Sequence, residues 1–132
     1  MSSCLFEAKV EQGKIEMILP IKTISEGNCS EPWIRKHQRH RQQQSRVAIF
    51  MANYRELIKL PVKITITRIA PRKLDFDNLV VSQKWVLDAV CDQLVPGLRP
   101  GRADGDPRIL PVVYEQEKKD PKFYATKLIF EF

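Results

Sequence analysis

Cysteine is scarce in this chain and poorly placed for cross-linking. Cys4, Cys29 and Cys91 are odd in number, and no two stand as Cys-x-x-Cys. Neither a disulfide framework nor a zinc site is indicated. Cys91 falls in a helical pattern and reads as a small buried hydrophobe. No apolar run approaches the ~20 residues that span a bilayer, and the N-terminus lacks signal-peptide architecture. A reduced, cytoplasmic protein with no membrane partner is expected. There is no internal repeat and no low-complexity tract, and glycine is limited to 5 residues. With 132 residues, 43% of them hydrophobic, the chain is expected to form a single domain over residues 1–132 with a real core.

Acidic residues are missing from a long stretch. None occurs from Pro32 to Arg55, a window holding Arg35, Lys36, Arg39, Arg41, Arg46 and Arg55. Six cations there equal the whole-chain excess of +6, so the net charge is concentrated in one segment. Apolar residues are also absent between Arg35 and Arg46. A helix is expected from about Pro32 to about Leu57, with Ser30 as N-cap and Pro32 in the first turn. Its first half, polar on every side, is expected to project or to lie along something charged. A solvated charge run usually mixes signs, and this one does not. Phosphate contact by Arg35, Lys36, Arg39, Arg41 and Arg46 is favoured over an inert solvent face. His37 and His40 are read as part of that basic surface, and Trp33 as a core or dimer contact.

Elsewhere the pattern alternates between extended and helical segments. Leu5–Val10 and Lys14–Ile21 form an expected hairpin around Glu11-Gln12-Gly13. Pro61–Ile69 is a strand in which Val62, Ile64 and Ile66 alternate with Lys63, Thr65 and Thr67. A helix follows, capped by Asp77 or Asn78, with Leu79, Val86, Leu87, Val90 and Leu94 inward. Ile109–Glu115 and Tyr124–Phe132 are strand-like, with a charged loop from Gln116 to Lys122 between them. The order β-β-α-β-α-β-β, without obvious βαβ regularity, predicts an α+β fold: one mixed sheet packed with two main helices.

The chemistry-bearing stretch is Arg72-Lys73-Leu74-Asp75-Phe76-Asp77-Asn78-Leu79. On an extended chain Asp75 and Asp77 project side by side. Two such carboxylates repel, and a hard divalent cation removes the conflict. Lys84 and Asp88 are four apart and can pair on the helix surface. Downstream, Ala103-Asp104-Gly105-Asp106-Pro107 adds further carboxylates.

Together, Asp75-Phe76-Asp77-Asn78-Leu79, Lys84, Asp88, Asp104-Gly105-Asp106-Pro107-Arg108-Ile109 and Val113-Tyr114-Glu115-Gln116-Glu117-Lys118 resemble the RusA family of Holliday-junction resolvases, small endonucleases common in phage and prophage genomes. Leu19-Pro20-Ile21 through Asn28, Trp33 and the basic helix resemble the N-terminal half of phage members, so the resemblance covers nearly the whole chain. It implies a homodimer of small α+β subunits that cuts four-way DNA junctions by Mg²⁺- or Mn²⁺-dependent hydrolysis, in recombination and repair. It further implies that Asp75, Asp77 and Asp104 bind metal, that Lys84 is the functional lysine, and that Asp88 and Asp106 are additional acids near the site. The chain departs from many members at Ala103, where a second adjacent Asp is common, and in a longer segment between Asn78 and Lys84. Three other functions stay open: a non-catalytic DNA-binding protein of the same fold, a nuclease for flaps or forks, and a structural or assembly protein in which the acids pair with the basic helix of another subunit.

Overall fold

The computed structural model describes residues 7–24, 31–97, 103–119 and 123–132, apart from the side chains of Glu7 and Asp104. Strands β1 (Glu7–Glu11) and β2 (Lys14–Leu19) form the expected hairpin. Its turn uses Gly13 at φ 77, a conformation that favours glycine. Helix α1 (Trp33–Met51) and a 3₁₀ turn (Arg55–Leu57) precede β3 (Lys63–Ala70). Helix α2 (Phe76–Leu94), a 3₁₀ turn (Ala103–Gly105), β4 (Val113–Lys118) and β5 (Ala125–Glu131) complete the chain. This is a small α+β domain, with two helices and a mixed five-stranded sheet of order β1-β2-β5-β3-β4. No helix among the described residues is long and apolar enough to cross a membrane.

The alternation of each strand sets one apolar face. Ile15, Met17 and Leu19 of β2 stand opposite Phe130, Leu128 and Thr126 of β5. Phe130, Leu128 and Thr126 in turn oppose Ile64, Ile66 and Arg68 of β3. All of these but Arg68 are essentially sealed from solvent, and Val47, Met51, Val86, Val90 and Cys91 from the helices complete the same core. The expected inward face of α2 is thus the buried one.

Several expectations are corrected. The pair β3–β4 is parallel, so β3–α2–β4 is a βαβ crossover inside an otherwise antiparallel sheet. Strand β4 begins at Val113 rather than Ile109, because Pro111 has no N–H to give the ladder; Ile109 makes only an isolated bridge to Val62. The strand then runs on to Lys118 through residues expected to be loop. Helix α1 stops at Met51, six residues short of Leu57, and the chain turns so that Ile58 can be buried. Pro32 is its N-cap, with no side-chain hydrogen bond, and Ser30 lies outside the described residues.

The polar half of α1 does not project free of the fold. His40 and Gln43 are buried in line with Val47 and Met51, at helical spacing. These polar side chains are partly matched in that stripe, though Gln43 Oε1 is buried with no partner among the described residues. The His40 ring stacks on Trp85 of α2, with centroids 4.0 Å apart, and Gln43 donates Nε2–H to the Lys22 carbonyl at 3.1 Å. His40 therefore joins the two helices rather than the basic surface. Trp33 is 75% exposed and meets the His37 ring, so it is not a core residue.

Candidate metal centre and nucleic-acid interface

Where β3 ends, Pro71–Leu74 carries the chain across to α2. Gln116 of β4 clamps this crossing from below. Its Oε1 accepts from Leu74 N–H at 2.9 Å, and its Nε2–H donates to the Leu74 carbonyl at 2.8 Å. Beside it, Arg68 donates from Nη1 to the Arg72 carbonyl at 2.7 Å. Arg68 and Gln116 are register partners on adjacent strands, so the two side chains grip consecutive parts of one turn.

That turn presents Asp75, which is the N-cap of α2. Its carboxylate accepts from the backbone N–H of Asn78 at 3.4 Å and from the Asn78 side-chain amide. Asp77 lies in the first helical turn. Only Asp75 is therefore extended; Asp77 lies inside the helix, so the two acids flank the helix start and do not share a strand face as expected. The expected caps, Asp77 and Asn78, give way to Asp75 because the helix begins at Phe76. Both carboxylates are exposed, and neither meets a cation among the described residues. A helix N-terminus also favours negative side chains on its own account. Phe76, between them, is 64% exposed, and its ring meets Tyr114 edge-on at 6.2 Å.

Lys84 and Asp88 pair at 3.3 Å, as the spacing predicted, with the lysine side chain 60% exposed and the carboxylate only 9%. They line a cleft of about 240 Å³ with Val80, Val81, Leu87 and Tyr114. Asp88 is thus an anchored partner on a helix face. Asp106 is likewise claimed: Arg108 donates to it from its backbone N–H and Nε at 2.9 Å and from Nη2 at 3.1 Å. These bonds hold its carboxyl down at about 2. Of the sequence-predicted acids with described side chains, Asp75 and Asp77 are the exposed ones that pair with no described cation. Asp104 belongs to the 3₁₀ turn that packs on α2 through buried Ala103, but its side chain lies outside the described residues. Among the described side chains, no group of three or more His, Cys, Asp or Glu residues is arranged to hold a metal ion.

The cations of α1 divide into two sets. Arg35, Lys36 and Arg41 point to solvent. Arg39 forms a two-pronged pair with Glu31 at 3.0 and 2.6 Å, which holds the Glu31 carboxyl below its usual value. Arg46 donates to the Pro20 carbonyl. These two guanidiniums border a cleft of about 300 Å³ with Lys22, Gln42 and Gln43. Sequence reasoning missed Arg68 and Gln116. Their signal was parity: each falls on the face that Ile64, Ile66 and Tyr114 make apolar.

No family model and no curated protein matches this chain.

Proposed function

We propose that the protein is a metal-dependent endodeoxyribonuclease that cuts branched DNA, four-way junctions in particular, as a homodimer with a RusA-like fold. The observation that carries this reading is the pair of exposed carboxylates, Asp75 and Asp77, unmatched by any described cation at the start of α2. Clamped backbone holds them there, and the Asp104 turn packs on the same helix. Hard oxygen donors of this kind suit Mg²⁺ or Mn²⁺. In this reading Asp75, Asp77 and Asp104 hold the cation. When bound, it supplies water activation and charge relief at the phosphate. Asn78 orients the Asp75 carboxylate, and Gln116 fixes the backbone ahead of it. Lys84, exposed beyond its tether to Asp88, neutralises charge on the scissile phosphate. Arg35, Lys36 and Arg41 contact the DNA backbone and supply affinity without base information, while Arg39 and Arg46 shape the same helix surface from their protein contacts.

Incubation with a labelled four-way junction and a matched linear duplex, with and without Mg²⁺ and Mn²⁺, tests this. Paired nicks in the junction that need the cation are expected. Cleavage of neither substrate under any condition would overturn the enzymatic reading.

One observation favours a second reading. Asp75 caps α2 and Asp77 sits where the helix dipole stabilises it, so both acids have a structural use without metal. A non-catalytic DNA-binding protein would bind junctions and leave them intact at every cation concentration.

A further inference from the structure

Arg68 is a buried charge without a countercharge among the described residues. Its side chain is 7% exposed on the helix-covered face of the sheet. One hydrogen bond runs from Nη1 to the Arg72 carbonyl, and Nε is buried with no partner among the described residues. Burial of this kind disfavours the charged form, and a buried ion is ordinarily paired. No carboxylate among the described residues meets it.

Several cations stand at this end of the sheet. Lys118 is the register partner of Ala70, two residues beyond Arg68 on the same sheet face. The backbone N–H of Lys119 donates to the Ala70 carbonyl at 3.0 Å, which sets it against the start of the Arg72 turn. Arg72, Lys73, Lys118 and Lys119 are all exposed, and none has a side-chain partner among the described residues. Glu117 of β4 is already occupied by Lys127 at 2.8 Å, on the opposite face. All this lies where two parallel strands run out toward a helix N-terminus, a position where open sheets hold anionic ligands.

We propose that this end of the sheet is a phosphate-binding surface, in which Arg68, Lys118 and Lys119 take phosphodiester oxygens of a DNA strand beside Asp75. It is separate from the basic face of α1. The proposal rests on the DNA-binding part of the function proposed above, not on its metal chemistry. Arg68 supplies a fixed fork from within the fold, whereas the two lysines add mobile point charges at the rim.

The test uses the full chain in EDTA, with a fluorescein-labelled four-way junction and a labelled duplex, and follows affinity against salt. Lys118→Gln with Lys119→Gln alters two exposed side chains, so its thermal melt should match wild type. Its log–log salt slope should fall by about two units on both DNAs. In parallel, the Arg68 Nε–H resonance, identified by its loss in Arg68→Lys, should shift when unlabelled junction is added. An unchanged slope in the double variant, with a reduced slope in Arg35→Gln/Lys36→Gln, would overturn this surface and leave DNA binding by α1 intact. A resonance that moves with inorganic phosphate but not with DNA would overturn the assignment to a nucleic-acid strand. Wild-type protein that binds neither DNA would overturn this proposal together with the function it rests on.

Discussion

Asp77 and Asp106 are both carboxylates near the start of a helix or turn, yet their surroundings give them opposite prospects. Asp77 is exposed and meets no described cation, whereas Asp106 is gripped by three donors of Arg108. Asp77→Asn keeps the side-chain shape and removes one charge. In the proposed site it should reduce junction cleavage by orders of magnitude, while junction binding measured by anisotropy holds or tightens. Asp88→Asn is the comparison, and equal loss in both would show that the anchored Asp88 also serves the metal. For Asp106 the expectation is a pH effect. Its carboxyl is lowered from 3.8 to about 2 by Arg108, so the stabilisation is complete above the unfolded value and lost as pH falls through the folded one. The carboxyl-carbon NMR titration of Asp106 should have its midpoint near 2, and Arg108→Ala should return it toward 3.8. The stability advantage of wild type over Arg108→Ala should vanish across the same interval.

Helices α1 and α2 show what an element can tolerate when its neighbours supply partners. The polar stripe of α1 is buried because Trp85 receives His40 and a loop carbonyl receives Gln43. Gln43 Oε1 still lacks a partner among the described residues, and Gln83 of α2 has less help: it is fully buried, and neither of its amide atoms meets a partner among the described residues. Leaving a buried polar group unsatisfied costs roughly 1–3 kcal/mol. Gln83→Met, close in volume and apolar, is therefore expected to raise stability by about 1 kcal/mol. Urea denaturation would read this as a higher midpoint with unchanged slope. A lower midpoint would mean that Gln83 is hydrogen-bonded in solution, through water for example. The boundaries of these helices were less legible than their existence. Apolar periodicity marks the middle of α2, but the choice of Asp75 as cap depends on Gln116 holding Leu74, a contact from 42 residues away in the chain.

At the scale of the whole molecule, the sheet leaves β1 and β4 as edges, and the acids lie at the end nearest β4. A junction has two-fold symmetry, so paired nicks call for two such sites, and a C₂ dimer would supply them. Light scattering at micromolar concentration should give twice the 15.4 kDa chain mass. A monomer that still cuts both strands would remove the dimer from the proposal.

The sequence alone determined the α+β class, the hairpin, the central strand of β3, the inward face of α2 and the Lys84–Asp88 pair. Each of these depends on residues close in the chain, where alternation and helical spacing act directly. Only the tertiary structure decided that β3 and β4 run parallel. It also decided that α2 begins between Asp75 and Asp77, that Arg39 faces Glu31, and that Arg68 is buried without a countercharge among the described residues. The physical reason is shared: strand pairing, the placement of a helix start, and whether a charge is paired or buried all depend on partners that folding brings from other elements, and no local spacing encodes those partners.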